Sequence, residues 1–288
     1  MPSFNIETFD RIKRIAIVAL ASDDHLVESL VLKGGNAIAL FYEDRDHKIS
    51  RASYDLDFSL DEKAADLAEL NSRIEATLKQ TFKEHGYDLH DYRFQQRPKN
   101  LAVELEDCWG GYLVRFKLRS GKREFQMNPD RSTIFNIDIS RHEFTAAKEC
   151  KEIDEYRLYV YSPAMIVFEK LRALCQQLEE YGPIIGKNSF TPRARDYYDI
   201  VTILETTDID VRSEENLEIL KAIFAAKKVP LDFMAKLPER LYFHRENWLS
   251  VIDTASMRDA KDLDYYAARV HALFEGITFP PDSKVATD

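Results

Sequence analysis

A chain of 288 residues, 45% hydrophobic and 31% charged, is long enough for two domains and too apolar to remain disordered. Its formal net charge of −10 disfavours a general nucleic-acid coat, which needs a broadly basic face, and leaves local clusters at Lys117, Arg119, Lys122 and Arg123 and at Lys187, Arg193 and Arg195. Cys108, Cys150 and Cys175 are scattered and without C-x-x-C spacing, which argues for a reducing compartment and against structural zinc. The longest apolar run is "IAIVALA" at 15–21 and the N-terminus lacks a signal-peptide core, so no membrane span and a cytoplasmic location are expected.

The predicted elements are mixed at first and helical later. Residues 7–32 have helical periodicity, with Ser22, Asp23 and Asp24 placed to cap a second helix. "NAIALFYE" fits helix or strand equally. "ASYDLDFSL" alternates as a strand does. Asp61 is placed to cap a long helix, "EKAADLAELNSRIEATLKQTFKEH", which Gly86 would end in a left-handed conformation. Four extended candidates follow, "YDLHDYRFQ", "LAVELED", "YLVRFKLRS" and "STIFNIDIS", punctuated by Gly110-Gly111 and Ser120-Gly121 as hairpin turns. Ser162-Pro163, an N-cap followed by a first-turn proline, opens "AMIVFEKLRALCQQLEEYG". Further amphipathic segments follow at "ARDYYDIVTILET", "NLEILKAIFAAKK", "LPERLYFHRENWLSVI" and "LDYYAARVHALFEGI". The change near residue 160 predicts an α+β chain divided into 1–160 and a helical 161–288.

Side chains two apart on a strand share a face, so Asp55 and Asp57 stand side by side while Tyr54, Leu56 and Phe58 turn to the core. Two like charges so close call for a cation, and Mg²⁺ is commonly held by one or two carboxylates plus nucleotide phosphate oxygens. An exposed strand end would show the same pattern. Gly34-Gly35 fits either a phosphate-receiving loop ahead of a helix or the C-cap of the helix before it. Asp138, between Ile137 and Ile139, is a third acid able to face the same cleft, and three carboxylates from two strands suit a two-metal phosphoryl or nucleotidyl transfer. Lys170 and Arg195-Asp196 are not distinguished by spacing alone.

Taken in order, "LKGGNAIAL", "RASYDLDFSL", "FNIDIS", "VFEKLRAL" and "RARDYYDIVTIL" resemble the motif series of the AbiEii/AbiGii nucleotidyltransferase toxins, including the MenT group. The resemblance covers residues 32–204, and nothing after it carries a motif. It implies a polymerase-β-type nucleotidyltransferase core with an appended C-terminal helical domain that contributes Lys170 and Asp196 to the cleft. Gly34 and Gly35 match the nucleotide-phosphate loop. Asn36 stands where many relatives have threonine or serine, and its amide can donate to a phosphate oxygen. Asp55 and Asp57 match the metal-binding pair and Asp138 the third acid, as base or metal ligand. Lys170 and Arg195 fall at nucleotide-binding positions, and Asp196 is the acid of the last motif. Arg51 and Ser53 match the pattern as strand-shaping residues.

The activity implied is transfer of a nucleoside monophosphate from an NTP, with Mg²⁺ or Mn²⁺, to an RNA acceptor, the tRNA 3′ end being the expected one. The protein would be the toxin of a toxin–antitoxin or abortive-infection pair and would have a cognate antitoxin as partner. Two alternatives stand beside this: the same chemistry on a small hydroxylated molecule such as an antibiotic, and a non-catalytic interaction module with a degenerate site.

Overall fold

The first helix, α1 (Ile6–Ala21), starts beneath Asn5, whose side chain accepts from the Thr8 amide, and buries Phe9, Ile12, Ala16 and Leu20 along one stripe. In the computed structural model, which describes residues 4–42, 55–61, 66–186, 189–254 and 261–277, this stripe lies against a mixed sheet. Arg51, Ser53, Tyr54 and Lys187 fall outside the described residues.

After α1 come α2 (Asp24–Ser29), β1 (Leu30–Leu32), α3 (Gly34–Phe41), β2 (Asp55–Leu60), α4 (Leu67–Glu84), β3 (Asp88–Arg97), β4 (Gly111–Ser120), β5 (Arg123–Glu124), β6 (Ile134–Ser140), β7 (Glu149–Ile153) and β8 (Tyr156–Val160). Helices alone follow among the described residues: α5 (Pro163–Cys175), α6 (Gly182–Ile185), α7 (Ala194–Thr206), α8 (Glu214–Ala225), α9 (Phe233–His244), α10 (Trp248–Thr254) and α11 (Leu263–Phe274). The described strands form one sheet in the order β3-β4-β6-β2-β1-β8-β7, with β5 hairpinned onto β4. The fold is α+β, a sheet core with a C-terminal helical part. No described helix is long and apolar enough to cross a membrane.

Strand alternation divides the sheet into two unlike faces. One carries Leu56 and Phe58 of β2, Val114 and Phe116 of β4, and Phe135 and Ile137 of β6, all buried. Leu70, Ile74, Leu78 and Phe82 of α4 cover it, with the Phe82 and Phe116 rings 5.6 Å apart, and α1 covers the rest through Phe9 against Phe135. Each such side chain contributes about 2 kcal/mol by leaving water. The other face carries Asp55 and Asp57, Asn136, Asp138 and Ser140, because the parallel β2–β6 register sets Asp55 beside Asn136 and Asp57 beside Asp138. The helical part packs over that polar face, with α5 against α7, α8 and α9. The apolar cluster nevertheless runs unbroken from Phe9 through Phe168 to Phe274, so both parts share one interior.

Several local expectations hold for the expected reason. Asp23 caps α2 by accepting from the Leu26 amide, Ser162 caps α5 by accepting from Met165, and Gly86 sits at φ 79° just past α4. Others need correction. Asp61 is not the cap of α4: its carboxylate takes Lys148 at 2.9 Å, and α4 starts later beneath Asp66, which accepts from the Ala68 and Glu69 amides. "LAVELED" yields a single 3₁₀ turn at Val103–Leu105, not a strand. Gly110-Gly111 is no hairpin turn, because Gly111 is already the first residue of β4, where a Cβ would lie 2.3 Å from the Ile139 carbonyl oxygen. The end of the 7–32 segment is strand β1, pinned between β2 and β8. The β7–β8 hairpin was not anticipated from the sequence.

Candidate active site

The glycine pair opens α3 directly from β1. Lys33 donates its backbone N–H to the Asp57 carbonyl at 2.9 Å, which holds the turn against β2. Gly34 has φ 67°, and a Cβ there would meet Asp57 Oδ2 at 3.2 Å, so both conformation and space require glycine. The first turn of α3, which no side chain caps, therefore begins close beside Asp57 with the positive end of its dipole.

A cavity of about 420 Å³ spreads from this turn. Gly34, Gly35 and Asp57 line its sheet side, and Lys170, Arg193 and Arg195 line its helical side. The structure thereby gathers residues from positions 34 to 195 around one space. Lys170 is clasped by Asp199 at 2.6 Å and Asp196 at 3.1 Å; burial disfavours its charge, but the two carboxylates outweigh this and raise its pKa. Asp196 is pulled down to about 2 against the cost of burial by Arg193 and Lys170. Arg195 reaches Asp199 at 3.2 Å.

Asp57 is the acid that strand β2 brings to the cavity. Burial pushes its carboxyl up to about 7, Lys33 works against that, and Asp138, Glu169 and Asp55 add to it. Asp138 is raised too, by burial and by Asp55, with Arg97 and Lys33 opposing. It lines not this cavity but an adjoining one of about 310 Å³, which shares Ser140, Glu143, Arg172 and Gln176 with it. Asp55 lines neither, and its carboxylate accepts from Asn136 Nδ2 at 3.0 Å.

Asn36 has different work from that expected. Its amide donates to the Asp55 carbonyl at 2.8 Å and its oxygen accepts from Lys13, so it ties α3 to β2 and does not line the cavity.

Whether these acids fit a divalent ion can be judged from their placement. Among the described residues no three His, Cys, Asp or Glu side chains converge into a closed metal cluster. Register-paired Asp57 and Asp138 instead supply two carboxylates on one face, the number Mg²⁺ takes from protein when phosphate oxygens complete its shell. Burial first, and neighbouring acids after it, make ionisation of both carboxyls costly, a cost that a bound cation would offset. The residues fit an ion shared with a nucleotide and do not fit one held by protein alone.

Motif reasoning missed a buried charge knot in the cavity wall. Glu143 meets Arg172 at 2.6 Å, Lys227 at 3.3 Å and Lys33 at 3.6 Å, while Lys33 also meets Glu169 at 2.6 Å. Burial opposes ionisation of Glu143, but Arg172, Lys33 and Lys227 hold it below the usual carboxylate range. Arg172 Nε is buried and finds no hydrogen-bond partner among the described residues, a donor left over where both cavities meet. Lys33 and Glu169 lie inside the quoted motifs, whereas Glu143 and Lys227 sit in stretches with no pattern to expose them.

No curated protein sequence matches. Among solved structures, JHP933 from Helicobacter pylori is similar over 94% of this chain and 92% of its own, at 19% identity and a TM-score of 0.48. A provisionally assigned nucleotidyltransferase of H. pylori is similar over 93% and 92%, at 20% identity and 0.48. An antigenic nucleotidyltransferase-like protein from Paracoccidioides brasiliensis follows over 75% and 93%, at 14% identity and 0.38. The profile described as nucleotidyl transferase AbiEii toxin, type IV TA system, matches residues 16–269. With that span matched, the chain belongs to the AbiEii family of toxin–antitoxin nucleotidyltransferases and is a nucleotidyltransferase.

Proposed function

We propose that the protein is a toxin that transfers a nucleoside monophosphate from an NTP to the 3′ hydroxyl of an RNA, with a tRNA 3′ end as the expected acceptor, and that a cognate antitoxin restrains it. One observation carries this reading: a single cavity is lined by Gly34, Gly35 and Asp57 on one side and by Lys170, Arg193 and Arg195 on the other. Backbone donors and three cations facing across such a space suit a triphosphate.

In the reaction the acceptor oxygen bonds to the α-phosphorus, the bond from that phosphorus to the β-bridging oxygen breaks, and pyrophosphate leaves. The α3 turn fixes the phosphates by its amides. Lys170, held in place by Asp196 and Asp199, offsets charge gathering on the leaving pyrophosphate. Asp138 faces the neighbouring cavity and is placed to receive the hydroxyl proton. Asp57 and Asp138 would hold Mg²⁺ or Mn²⁺, which when bound eases deprotonation of the acceptor and neutralises charge at the α-phosphate. Most of the rate gain is positioning.

The test supplies purified protein with each of the four α-labelled NTPs and a mixture of total tRNA and small hydroxylated compounds including aminoglycosides. Label on RNA, lost on chelation and in Asp57→Ala, is expected. Label on a small molecule would replace the acceptor, and no label anywhere would overturn the reading. Induced expression should arrest growth, and the same substitution should relieve the arrest.

A further inference from the structure

The polar face of the sheet does not stop at the acids. The register continues it outward: Asp55 pairs with Asn136, Asn136 with Arg115, and Arg115 with Arg93 on the edge strand β3. A second row runs Ser59, Ser140, Gly111, Arg97. Register partners share a face, so Arg93, Arg97 and Arg115 project on the side that bears Asp57 and Asp138, about 5 Å apart per strand.

These arginines are unlike those of the helical wall. Among the described residues none of the three guanidinium groups has an ion-pair or side-chain hydrogen-bond partner, and Arg93 instead bears on Lys117, a like charge. Arg97 acts at longer range on Asp138, and Lys117 is itself held by Asp91. In a chain of net charge −10, three guanidinium groups on one face with no close ion pair of their own nevertheless suit an anion from outside. The second row leads into the adjoining cavity, which Arg97, Gly111, Ser140, Trp109 and Asp138 line. Gly110 and Gly111 leave bare backbone at its edge, and Trp109 offers a half-buried ring with the Lys227 ammonium 5.6 Å from its centroid. The volume of about 310 Å³ admits one nucleoside and no paired end.

We infer that the β3–β4 face and this cavity bind the 3′-terminal nucleotides of single-stranded RNA. Arg93, Arg115 and Arg97 take successive phosphates, and the last nucleoside lies beside Trp109 with its hydroxyl towards Asp138. This rests on the nucleotidyltransferase reading and deepens it by placing the acceptor. Single-strand binders combine a basic track with an aromatic platform in the same way.

The experiment measures anisotropy of a 5′-labelled single-stranded RNA on the full chain between about 50 and 200 mM salt. Replacing both Arg93 and Arg115 by alanine should weaken binding about tenfold at the low end and flatten the log–log salt slope by about 1.4, at about 0.7 per lost phosphate contact. Lysine at both positions should restore most of each. Trp109→Leu should weaken RNA binding about tenfold or more with the salt slope unchanged. Calorimetric NTP affinity should stay at the wild-type value in all of them. Wild-type protein that labels RNA, with RNA affinity indifferent to these changes, would overturn the acceptor track and leave the enzyme reading intact. Equal affinity for duplex RNA or for single-stranded DNA would overturn the single-stranded RNA assignment. Failure of wild-type protein to transfer label to any acceptor would instead break the underlying reading.

Discussion

The helical wall of the cleft and the open edge of the sheet use the same residue types to opposite ends. On the wall, Lys170, Arg172, Arg193 and Arg195 are each clasped by a carboxylate from Glu143, Asp196 or Asp199. At the edge, Arg93, Arg97 and Arg115 have no such clasp among the described residues. Paired and buried cations are held in fixed positions before a ligand arrives, which suits charge stabilisation at a reacting centre. Unpaired exposed ones keep their hydration and reach, which suits capture of a polyanion that must also leave. The difference teaches that the count of basic residues says little and that their partners say what they do.

The sharpest way to break this contrast is at the seam between the two regions. Asp57→Asn should lower label transfer on the order of 10³-fold or more while leaving thermal stability close to wild type, because its carboxylate is in the cleft and its strand neighbours keep the fold. Retained activity would mean that Asp57 takes no part in the chemistry.

Next in size is the wall itself. Arg172→Met should cost about 3–5 kcal/mol in urea unfolding, since it strips the main partner from buried Glu143 and leaves that charge to Lys33 and Lys227. A cost below about 1 kcal/mol would show that the knot tolerates loss of a member and is less fixed than the comparison requires.

His244 sharpens the picture through pH. Its ring is fully buried, Nδ1 accepts from the Arg193 amide, and burial lowers its pKa to about 4. An unfolded chain protonates this group near pH 6.5. The stabilising contribution is therefore complete above about pH 6.5 and is lost as the pH falls towards 4, amounting to roughly 3 kcal/mol at the limit. Unfolding free energies at pH 7 and 5 should differ less in His244→Gln than in wild type. An unchanged difference would place the titration elsewhere.

The smallest effect expected is at the exposed pair of Arg119 with Asp88, where Arg119→Ala should move stability by under about 0.5 kcal/mol. A larger loss would erase the distinction between buried and surface pairing.

What the sequence disclosed was mostly local. Caps at Asp23, Ser162 and Gly86 depend on residues within one turn, so their chemistry is written in neighbouring letters. Asp61 misled because its partner, Lys148, lies far along the chain and reaches it only in the fold. "LAVELED" alternates like a strand but has no strand to pair with, and β8 is defined by parallel pairing to β1, which no short-range pattern reports. The ordered motifs located Gly34, Asp57, Lys170 and Asp196, which the structure brings to one cavity. They placed Asn36 at a phosphate, whereas its amide is engaged by a strand carbonyl. Glu143, Lys227 and the arginine rows escaped notice because each is meaningful only through register or burial across distant segments.

The shared interior has a consequence for how this enzyme works. Because apolar packing passes unbroken between sheet and helices, from Phe9 through Phe168 to Phe274, the two sides of the cleft are not jaws on a hinge. Pulling them apart would expose that apolar seam to water, which the hydrophobic effect opposes. Substrates must come and go through standing openings, and neither portion expressed alone would be expected to remain monomeric and folded.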